Sequence, residues 1–260
     1  MKLKWYGTAT ILLEQDGVRL LFDPFFSLNN RDLTHLIEES SAVEYILITH
    51  GHLDHIAGIP EILKHGNGTA AVYCTAKPRD VLISKGIDES FLHKIAPGDV
   101  LTLGPYEVRV LKGKHIVFNK GLLVKKILNP RNLLYLNNSL YLFKENRVCA
   151  EAGETVVYDV AVANKRILLL GSLNLDDDTE YPKGADLLIL PYQGRSDICR
   201  YTLSFIDRLK PKMVLLDHFD DSFPPISSSM KTSPFISLMR EKYPEVPVVC
   251  PRAGAEWSFT

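Results

Sequence analysis

Three of the chain's eight histidines fall within six residues, in the run His50-Gly51-His52-Leu53-Asp54-His55. Imidazole nitrogen and carboxylate oxygen are donors that zinc and similar borderline divalent metals prefer. Alternate side chains of an extended segment point the same way, so His50 and His52 can face one metal. Asp54 and His55 then project from the following turn, where a second metal could bind. A loop that is histidine-rich by chance is the competing explanation, and this density argues against it.

The histidine run follows directly on a segment with the character of a buried strand. Residues 45–49 are four consecutive apolar residues and a threonine, which predicts a strand covered on both faces. Upstream, residues 9–13 and Val18–Phe22 flank an Asp-Gly pair, the pattern of a β-hairpin. Donors that converge at the end of a rigid buried strand are what a catalytic metal site requires.

The rest of the chain alternates between strand-like and helix-like segments. Further strands are predicted at residues 70–73, 99–103, 107–112, 155–162, 166–170, 186–190 and 213–216, and helices at 30–39, 59–64, 78–85 and 200–210. This alternation predicts a single α/β domain over residues 1–260. Residues 114–147, which mix lysines with aromatic and apolar residues, are expected to form an excursion from the main sheet.

Composition excludes several classes of function. A net charge of -1 provides no long-range attraction to nucleic acid or to an anionic membrane. No apolar stretch is long enough to cross a membrane, and the N-terminus lacks the apolar core of a signal peptide. The four cysteines lie far apart and form no CxxC pair, so a disulfide scaffold is not expected. We expect a cytoplasmic protein with a small-molecule substrate, and homo-oligomerisation stays open.

The segment LITHGHLDHIAG at residues 47–58 resembles the HxHxDH motif of the metallo-β-lactamase superfamily. The segments GTATILL at residues 7–13 and LLFDP at residues 20–24 resemble the branch that includes ascorbate-phosphate lactonases and phospholipase D-type enzymes. The resemblance implies a four-layer αββα sandwich, with a metal site in a cleft at one edge of the sheets.

The resemblance also implies two further histidine ligands. The family's third histidine matches His115, and its final histidine matches His218. By this correspondence one metal would be held by His50, His52 and His115, and a second by Asp54, His55 and His218. The implied cofactor is one or two divalent metal ions, Zn²⁺ before Mn²⁺ or Fe.

One position departs from the family's pattern. The family has an aspartate that bridges both metals, and Ser172 stands in its place. A neutral hydroxyl is a much weaker ligand than a carboxylate. Three outcomes are open: two metals bridged by water alone, one firmly and one weakly held metal, or a ligand supplied by Asn174 or residues 176–178.

The implied activity is hydrolysis of an ester, lactone or phosphodiester bond. A divalent metal would acidify a water molecule and polarise the bond under attack, and Asp54 would orient the nucleophile and move a proton. Asp23 is a candidate partner of a ligating imidazole, or only an Asx turn before a proline. Asp217 and Asp220 have the same two interpretations, with a solvated loop favoured.

Basic residues provide the clue to the substrate. Lys114, Arg131 and three lysines between them, Lys120, Lys125 and Lys126, suit an anionic substrate with an apolar part. A solvated amphipathic helix is the plainer explanation of the same segment, and we favour it slightly. Arg195 could contact an oxyanion, and Phe25 could form an apolar wall.

Two other functions compete with hydrolysis. Ser172 favours a metal-binding or ligand-sensing protein without turnover. A di-iron oxidoreductase would resemble flavodiiron proteins, but it needs additional carboxylate ligands that the sequence does not show. An exported β-lactamase is disfavoured because no signal peptide is expected, and a nuclease because its extra domain has no room.

Overall fold

A computed structural model describes residues 1–29, 38–39, 42–66, 70–117, 130–149 and 152–259. In these ranges two seven-stranded sheets lie face to face. The first sheet comprises β1 (Lys2–Trp5), β2 (Ile11–Gln15), β3 (Val18–Phe22), β4 (Tyr45–Leu47), β5 (Ala71–Cys74), β6 (Leu92–Lys94) and β14 (Glu256–Ser258). The second comprises β7 (Val100–Leu103), β8 (Tyr106–Lys112), β9 (Val156–Val162), β10 (Lys165–Leu170), β11 (Leu187–Pro191), β12 (Val214–Asp217) and β13 (Val248–Val249).

Helices cover the outer face of each sheet. They are α1 (Leu53–Ile56), α2 (Ile59–His65), α3 (Ala76–Ser84), α4 (Arg131–Leu134), α5 (Leu136–Cys149), α6 (Ile198–Leu209) and α7 (Ser233–Lys242). The first three pack on the first sheet, and α6 and α7 pack on the second. The order of layers is helix, sheet, sheet, helix, so the predicted αββα sandwich is confirmed.

Successive side chains of the central strands point to opposite faces of the sheet, and this explains why both faces are apolar. In β10, Ile167 and Leu169 point between the sheets, whereas Leu168 and Leu170 point to the helices. Successive side chains of a strand lie on opposite faces, so a continuous apolar run buries both faces. Runs such as this one made these strands recognisable in the sequence.

Strand direction brings the ends of distant segments to one edge of the sandwich. In the second sheet, β10, β11 and β12 are parallel, and the end of β8 lies beside the start of β9 and the end of β10. In the first sheet, β3 and β4 run parallel and end together. The residues after β4, β8, β10 and β12 therefore meet at one edge, and these are the positions of His50, His115, Ser172 and His218.

The predicted elements are present with ends shifted by a few residues. The hairpin between β2 and β3 turns at Asp16 and Gly17, whose φ angles of 53° and 80° are left-handed, as the turn of a two-residue hairpin requires. Strands β1, β6, β13 and β14 and helix α7 were not predicted, because all are short or carry weak periodicity. The helix predicted at 30–39 lies outside the described residues except for 38–39, which are helical.

The excursion is described in part. Residues 118–129 lie outside the described ranges, and α4 and α5 follow them. The exposed side chains of α5 are mixed: Leu136, Leu140 and Phe143 are 58%, 61% and 72% exposed, and Lys144 and Arg147 are exposed beside them. Across the described ranges, no helix combines the length and apolar character needed to cross a bilayer.

One hydrogen bond between the sheets gives a test of the packing next to the site. The buried Tyr158 hydroxyl donates to the Ile48 carbonyl oxygen over 2.6 Å. We predict that Tyr158→Phe lowers the free energy of unfolding by about 1–3 kcal/mol, because a buried acceptor loses its donor. Tyr106→Phe is the matched control: its hydroxyl donates to Val18 O in a hydrogen bond that is only partly buried, and a smaller loss than in Tyr158→Phe is expected. Urea unfolding measures both, and equal losses would contradict the prediction.

Candidate metal centre

The three histidines of the first predicted set lie together at the edge of the sandwich. Their ring centroids are 4.9 Å apart for His50 and His52, 5.0 Å for His50 and His115, and 4.5 Å for His52 and His115. One donor atom from each ring lies within 4.8 Å of the others. The structure therefore brings together two residues from the loop after β4 and one from the loop after β8.

The second predicted set lies beside the first. Asp54 Oδ2 is 3.8 Å from His55 Nε2 and 3.7 Å from His218 Nε2. The His50 and His55 rings are 3.9 Å apart, so the two sets adjoin. Asp54 and His55 belong to α1, whose short turn follows the extended His52, and His218 follows β12.

Asp23 is a hydrogen-bonding partner of the site, not only an Asx turn. Its fully buried carboxylate lies 2.8 Å from His55 Nδ1 and accepts hydrogen bonds from the backbone and hydroxyl of Thr49. Thr49 Oγ1 also lies 3.0 Å from His50 Nδ1. These contacts hold the Nδ1 atoms of both rings and leave Nε2 as the donor toward a metal. Thr49 was missed by sequence reasoning, although it stands between the strand and the motif.

His115 and His218 are oriented in the same way. His115 Nδ1 lies 3.0 Å from the Ile116 carbonyl oxygen, and His218 Nδ1 lies 3.3 Å from Asp217 Oδ1. The interpretation of Asp217 as part of a solvated loop is wrong, because it is the last residue of β12 and is 1% exposed. Its apolar neighbours in β12 bury it, and the carboxylate finds its partner in the next side chain.

The loop that carries His218 has an unusual backbone. His218 has a φ of 54° and Thr8 a φ of 47°, a left-handed conformation that costs a non-glycine residue about 1–2 kcal/mol. The His218 amide donates to Thr8 O, and the Thr8 amide donates to Asp220 Oδ1. Asp220 thus accepts a backbone hydrogen bond and is not only solvated. Strain of this kind persists where the surroundings over-determine it, as functional sites do.

The electrostatics of the first set favour neutral imidazoles. Burial, together with the neighbouring His55 and His52, places the pKa of His50 well below its usual value. Burial and His52 lower the pKa of His115 to about 4. A neutral ring has a lone pair available for a metal at neutral pH.

The electrostatics of the second set favour charged side chains. Burial opposes charge at His218, but hydrogen bonds to Asp217 and Asp54 outweigh it and raise the pKa of this histidine to about 10. Burial likewise opposes charge at Asp54, yet His55 and His218 hold its pKa below the usual value. The pair is therefore charged without a metal, and a divalent cation would replace the His218 proton.

Ser172 has a structural contact of its own. It is 5% exposed at the end of β10, and its Oγ accepts a hydrogen bond from the Ile116 amide over 3.0 Å. It thereby fixes the backbone next to His115. Gly171, just before it, lies so close to Thr49 that an added Cβ would be 2.1 Å from the threonine Oγ1. The two sheets nearly touch here.

The side chains considered as substitutes for the bridging aspartate point elsewhere. Asn174 Nδ2 donates to the His115 carbonyl oxygen. Asp176 accepts a hydrogen bond from Thr179 and lies 3.3 Å from Lys112 Nζ, and Asp177 pairs with Lys114. Among the described carboxylates, Asp54 is the one that belongs to a donor set.

A cavity of about 520 Å³ opens in front of both donor sets. This volume is typical of sites for small molecules. Phe25 forms part of its wall, as predicted, and packs edge-on against Phe223 with ring centroids 5.7 Å apart. Leu142 and Asn146 of α5 also line the cavity, so the described part of the excursion contributes to it.

The basic residues behind the expectation of an anionic substrate do not line the cavity where they are described. Lys114 Nζ pairs with Asp177 at 2.6 Å, and Arg131 with Asp221 at 2.7 Å. Lys120, Lys125 and Lys126 lie outside the described residues. Arg195 pairs with Asp197 and lies 4.2 Å over the ring of Tyr201, so its guanidinium group is held away from the centre.

The arrangement fits a divalent metal at each set. Five imidazoles and one carboxylate form two groups of three donors, each group within 4.8 Å. Three protein ligands and an open position are the pattern of catalytic zinc sites. The rings of His50, His55, His115 and His218 each have an outer partner that fixes the nitrogen facing the centre.

Comparisons with known proteins agree with this description. A family model for a beta-lactamase superfamily domain matches residues 18–124, which include His50 to His55 and His115. A UPF0173 protein of Pyrococcus abyssi is 26% identical over 224 residues, 84% of this chain and 83% of that protein. A UPF0173 metal-dependent hydrolase of Staphylococcus carnosus is 42% identical over 69 residues, which cover 26% of this chain and 29% of that protein.

Solved structures share the fold. Igni18, a metallo hydrolase from Ignicoccus hospitalis, has a TM-score of 0.66 at 16% identity, and the alignment covers 100% of this chain and 99% of the Igni18 chain. An isothiocyanate hydrolase from Delia radicum gut bacteria has a TM-score of 0.63 at 14% identity, with the same coverage. CmlA, a diiron beta-hydroxylase from Streptomyces venezuelae, has a TM-score of 0.63 at 12% identity and covers 99% of this chain and 54% of its own. In its sequence over residues 18–124 and in its fold, the chain is similar to proteins of the metallo-β-lactamase superfamily.

Proposed function

We propose that the protein is a metal-dependent hydrolase that cleaves an ester, lactone or phosphodiester bond of a small substrate. The observation that carries the proposal is the convergence of two groups of three donors on the floor of a cavity of about 520 Å³. A relative named a metal-dependent hydrolase is 42% identical to this chain over 69 residues and supports it.

In this proposal His50, His52 and His115 hold one divalent metal, and Asp54, His55 and His218 hold the second. Nitrogen-rich donor sets favour Zn²⁺, while two imidazoles with one carboxylate also suit ferrous iron. We propose Zn²⁺ as the principal metal, with Mn²⁺ or Fe as alternatives.

The described residues divide the chemistry between them. A bound divalent metal acidifies water and polarises the bond under attack, which provides a nucleophile at neutral pH. Asp54 contributes a carboxylate that can orient this nucleophile and transfer a proton to the leaving group. Phe25, Phe223 and Leu142 exclude water from the reacting bond, and the low polarity they create strengthens electrostatic interactions inside the cavity.

The donor set separates hydrolysis from the di-iron alternative. CmlA shows that this fold also accommodates a diiron hydroxylase. An oxidoreductase of that kind needs additional carboxylate ligands, and among the described residues Asp54 is the one carboxylate in the donor sets. This observation favours hydrolysis.

Ser172 supports a second candidate function, a metal-binding or ligand-sensing protein without turnover. Its hydroxyl accepts a hydrogen bond from the Ile116 amide, so no carboxylate links the two donor sets among the described residues. Ser172→Asp discriminates between the candidates. A wild-type protein that holds metal but cleaves no ester, and gains turnover on this change, would favour the sensor.

The proposed ligands predict a metal stoichiometry. We expect the wild-type protein to retain two equivalents of divalent metal after dialysis, and His52→Ala or His115→Ala to retain about one, because one set loses a donor. Elemental analysis by mass spectrometry measures this. His93→Ala is the matched control, since His93 lies in β6 and stacks on Tyr73, away from both sets. Metal loss in the control equal to that in His52→Ala would contradict the assignment.

Substitution of Asp217 is expected to change metal affinity while all six proposed ligands stay in place. We expect Asp217→Asn to weaken binding at the second set about 10- to 100-fold, because the His218 ring loses the carboxylate that orients it. Competition with a chromogenic chelator measures the affinity. Asp186→Asn is the control, because Asp186 pairs with Lys212 near the start of β11. Unchanged affinity in Asp217→Asn would refute the role.

The activity itself is tested on the metal-loaded protein with carboxylic esters, lactones and bis(p-nitrophenyl) phosphate. We expect turnover on at least one class and a fall in kcat of about 10²–10⁴-fold in Asp54→Asn, which removes the proton-transferring group. The metal content of the variant is measured in parallel, so that lost chemistry is separated from lost metal. A wild-type protein with two metals and no turnover on the whole panel would overturn the proposal.

A further inference from the structure

Beyond the donor sets, the cavity wall is mainly apolar. The apolar lining residues include Phe25, Leu53, Ile116, Leu142, Phe223 and Ile226. Five of them are buried or half-buried, whereas Ile226 is 43% exposed and reaches toward solvent. An apolar surface thus extends from the donors to the opening.

The polar lining residues outside the donor sets are uncharged, and two of the three have structural partners. Ser172 Oγ accepts from the Ile116 amide, and Gln193 Nε2 donates to the Ser228 carbonyl oxygen over 3.0 Å. Asn146 of α5 is the third. Of the described residues, no lysine or arginine lines the cavity.

A charged group placed against this wall would lose its hydration without gaining a counter-ion. Burial of an unpaired carboxylate is strongly unfavourable. The described cations closest in sequence to the site are each paired with an aspartate, as Lys114, Arg131 and Arg195 show. The electrostatics of the wall therefore oppose a second negative charge on the substrate.

We propose that the part of the substrate away from the cleaved bond is an uncharged alkyl or aryl group, bound between the Phe25–Phe223 pair and Leu142. This inference rests on the proposed hydrolase function and narrows its substrate class. It differs from the anionic substrate expected from the basic residues of the excursion, of which Lys120, Lys125 and Lys126 lie outside the described residues. The edge-on contact of Phe25 and Phe223 provides a rigid surface for such a group.

Binding of an apolar group can be tested separately from catalysis. The metal-loaded protein is titrated with Nile red, an uncharged fluorophore. Displacement by 1-butanol, 1-hexanol and 1-octanol is followed by fluorescence. Each added methylene is expected to strengthen displacement about fourfold, because it leaves water for an apolar surface. Alcohols that displace the dye equally well, whatever their length, would overturn the inference.

Ile226→Lys places a cation at the opening, at a position exposed enough to accept it. We expect about tenfold weaker displacement by 1-octanol in this variant. Leu140→Lys is the matched control: Leu140 is 61% exposed on the outward face of α5, outside the cavity, so the variant shows whether the dye binds there instead. Equal weakening in both variants would contradict binding in the cavity.

Turnover measurements test the apolar-substrate inference and the proposed hydrolase function independently. The metal-loaded protein is given p-nitrophenyl octanoate and mono-p-nitrophenyl octanedioate, which differ by a terminal carboxylate. We expect kcat/KM to be at least about tenfold higher for the octanoate, and Ile226→Lys to reduce that ratio. Cleavage of both at equal rates, or preference for the octanedioate, overturns the inference and leaves the hydrolase intact. The expected alcohol series with neither ester cleaved supports the inference and counts against hydrolysis of carboxylic esters.

Discussion

The site depends on one buried carboxylate. Asp23, with no exposed surface, accepts hydrogen bonds from the Thr49 backbone and hydroxyl and lies 2.8 Å from His55 Nδ1. A carboxylate removed from water is tolerated where such partners compensate its lost hydration. The end of β3, the end of β4 and the first turn of α1 are therefore held in one arrangement, and that arrangement sets the direction of His50 and His55.

Close approach of the two sheets delivers the other donors to this point. The Val156 amide of β9 donates to the Thr49 carbonyl oxygen, and the Tyr158 hydroxyl donates to that of Ile48. Gly171 lies against the Thr49 side chain with no room for a Cβ. Because the strands of the second sheet end beside Thr49, the loops after them bring His115 and His218 within reach of the histidine motif.

The sequence predicts those parts of the site that local pattern determines. The density of donors in residues 50–55, the buried strand before them and the apolar runs of the second sheet are visible without a structure. His115 and His218 needed a family resemblance, because a lone histidine after a strand has no local signal. The resemblance also marked Ser172 as a departure, and its contact with the Ile116 amide is a tertiary feature that no spacing predicts.

What sequence reasoning missed depends on burial and on pairing over long distances. Asp217 resembles a loop residue because Asp220 follows three residues later, yet its place at the end of a buried strand removes it from solvent. The partners of the basic residues could not be seen either: Asp177, Asp197 and Asp221 pair with Lys114, Arg195 and Arg131, while Lys120, Lys125 and Lys126 lie outside the described residues. The character of the cavity depends on α5 and the loop of Phe223, distant segments that both contribute to its lining.

The most direct test of the account is a crystal structure of the metal-loaded protein with anomalous diffraction recorded at the absorption edge of the bound metal. Two anomalous peaks are expected. One lies about 2.0–2.2 Å from nitrogen atoms of His50, His52 and His115, and the other lies at that distance from a carboxylate oxygen of Asp54 and nitrogen atoms of His55 and His218. Peaks coordinated by other side chains, or an absence of peaks at both donor sets, would contradict the account.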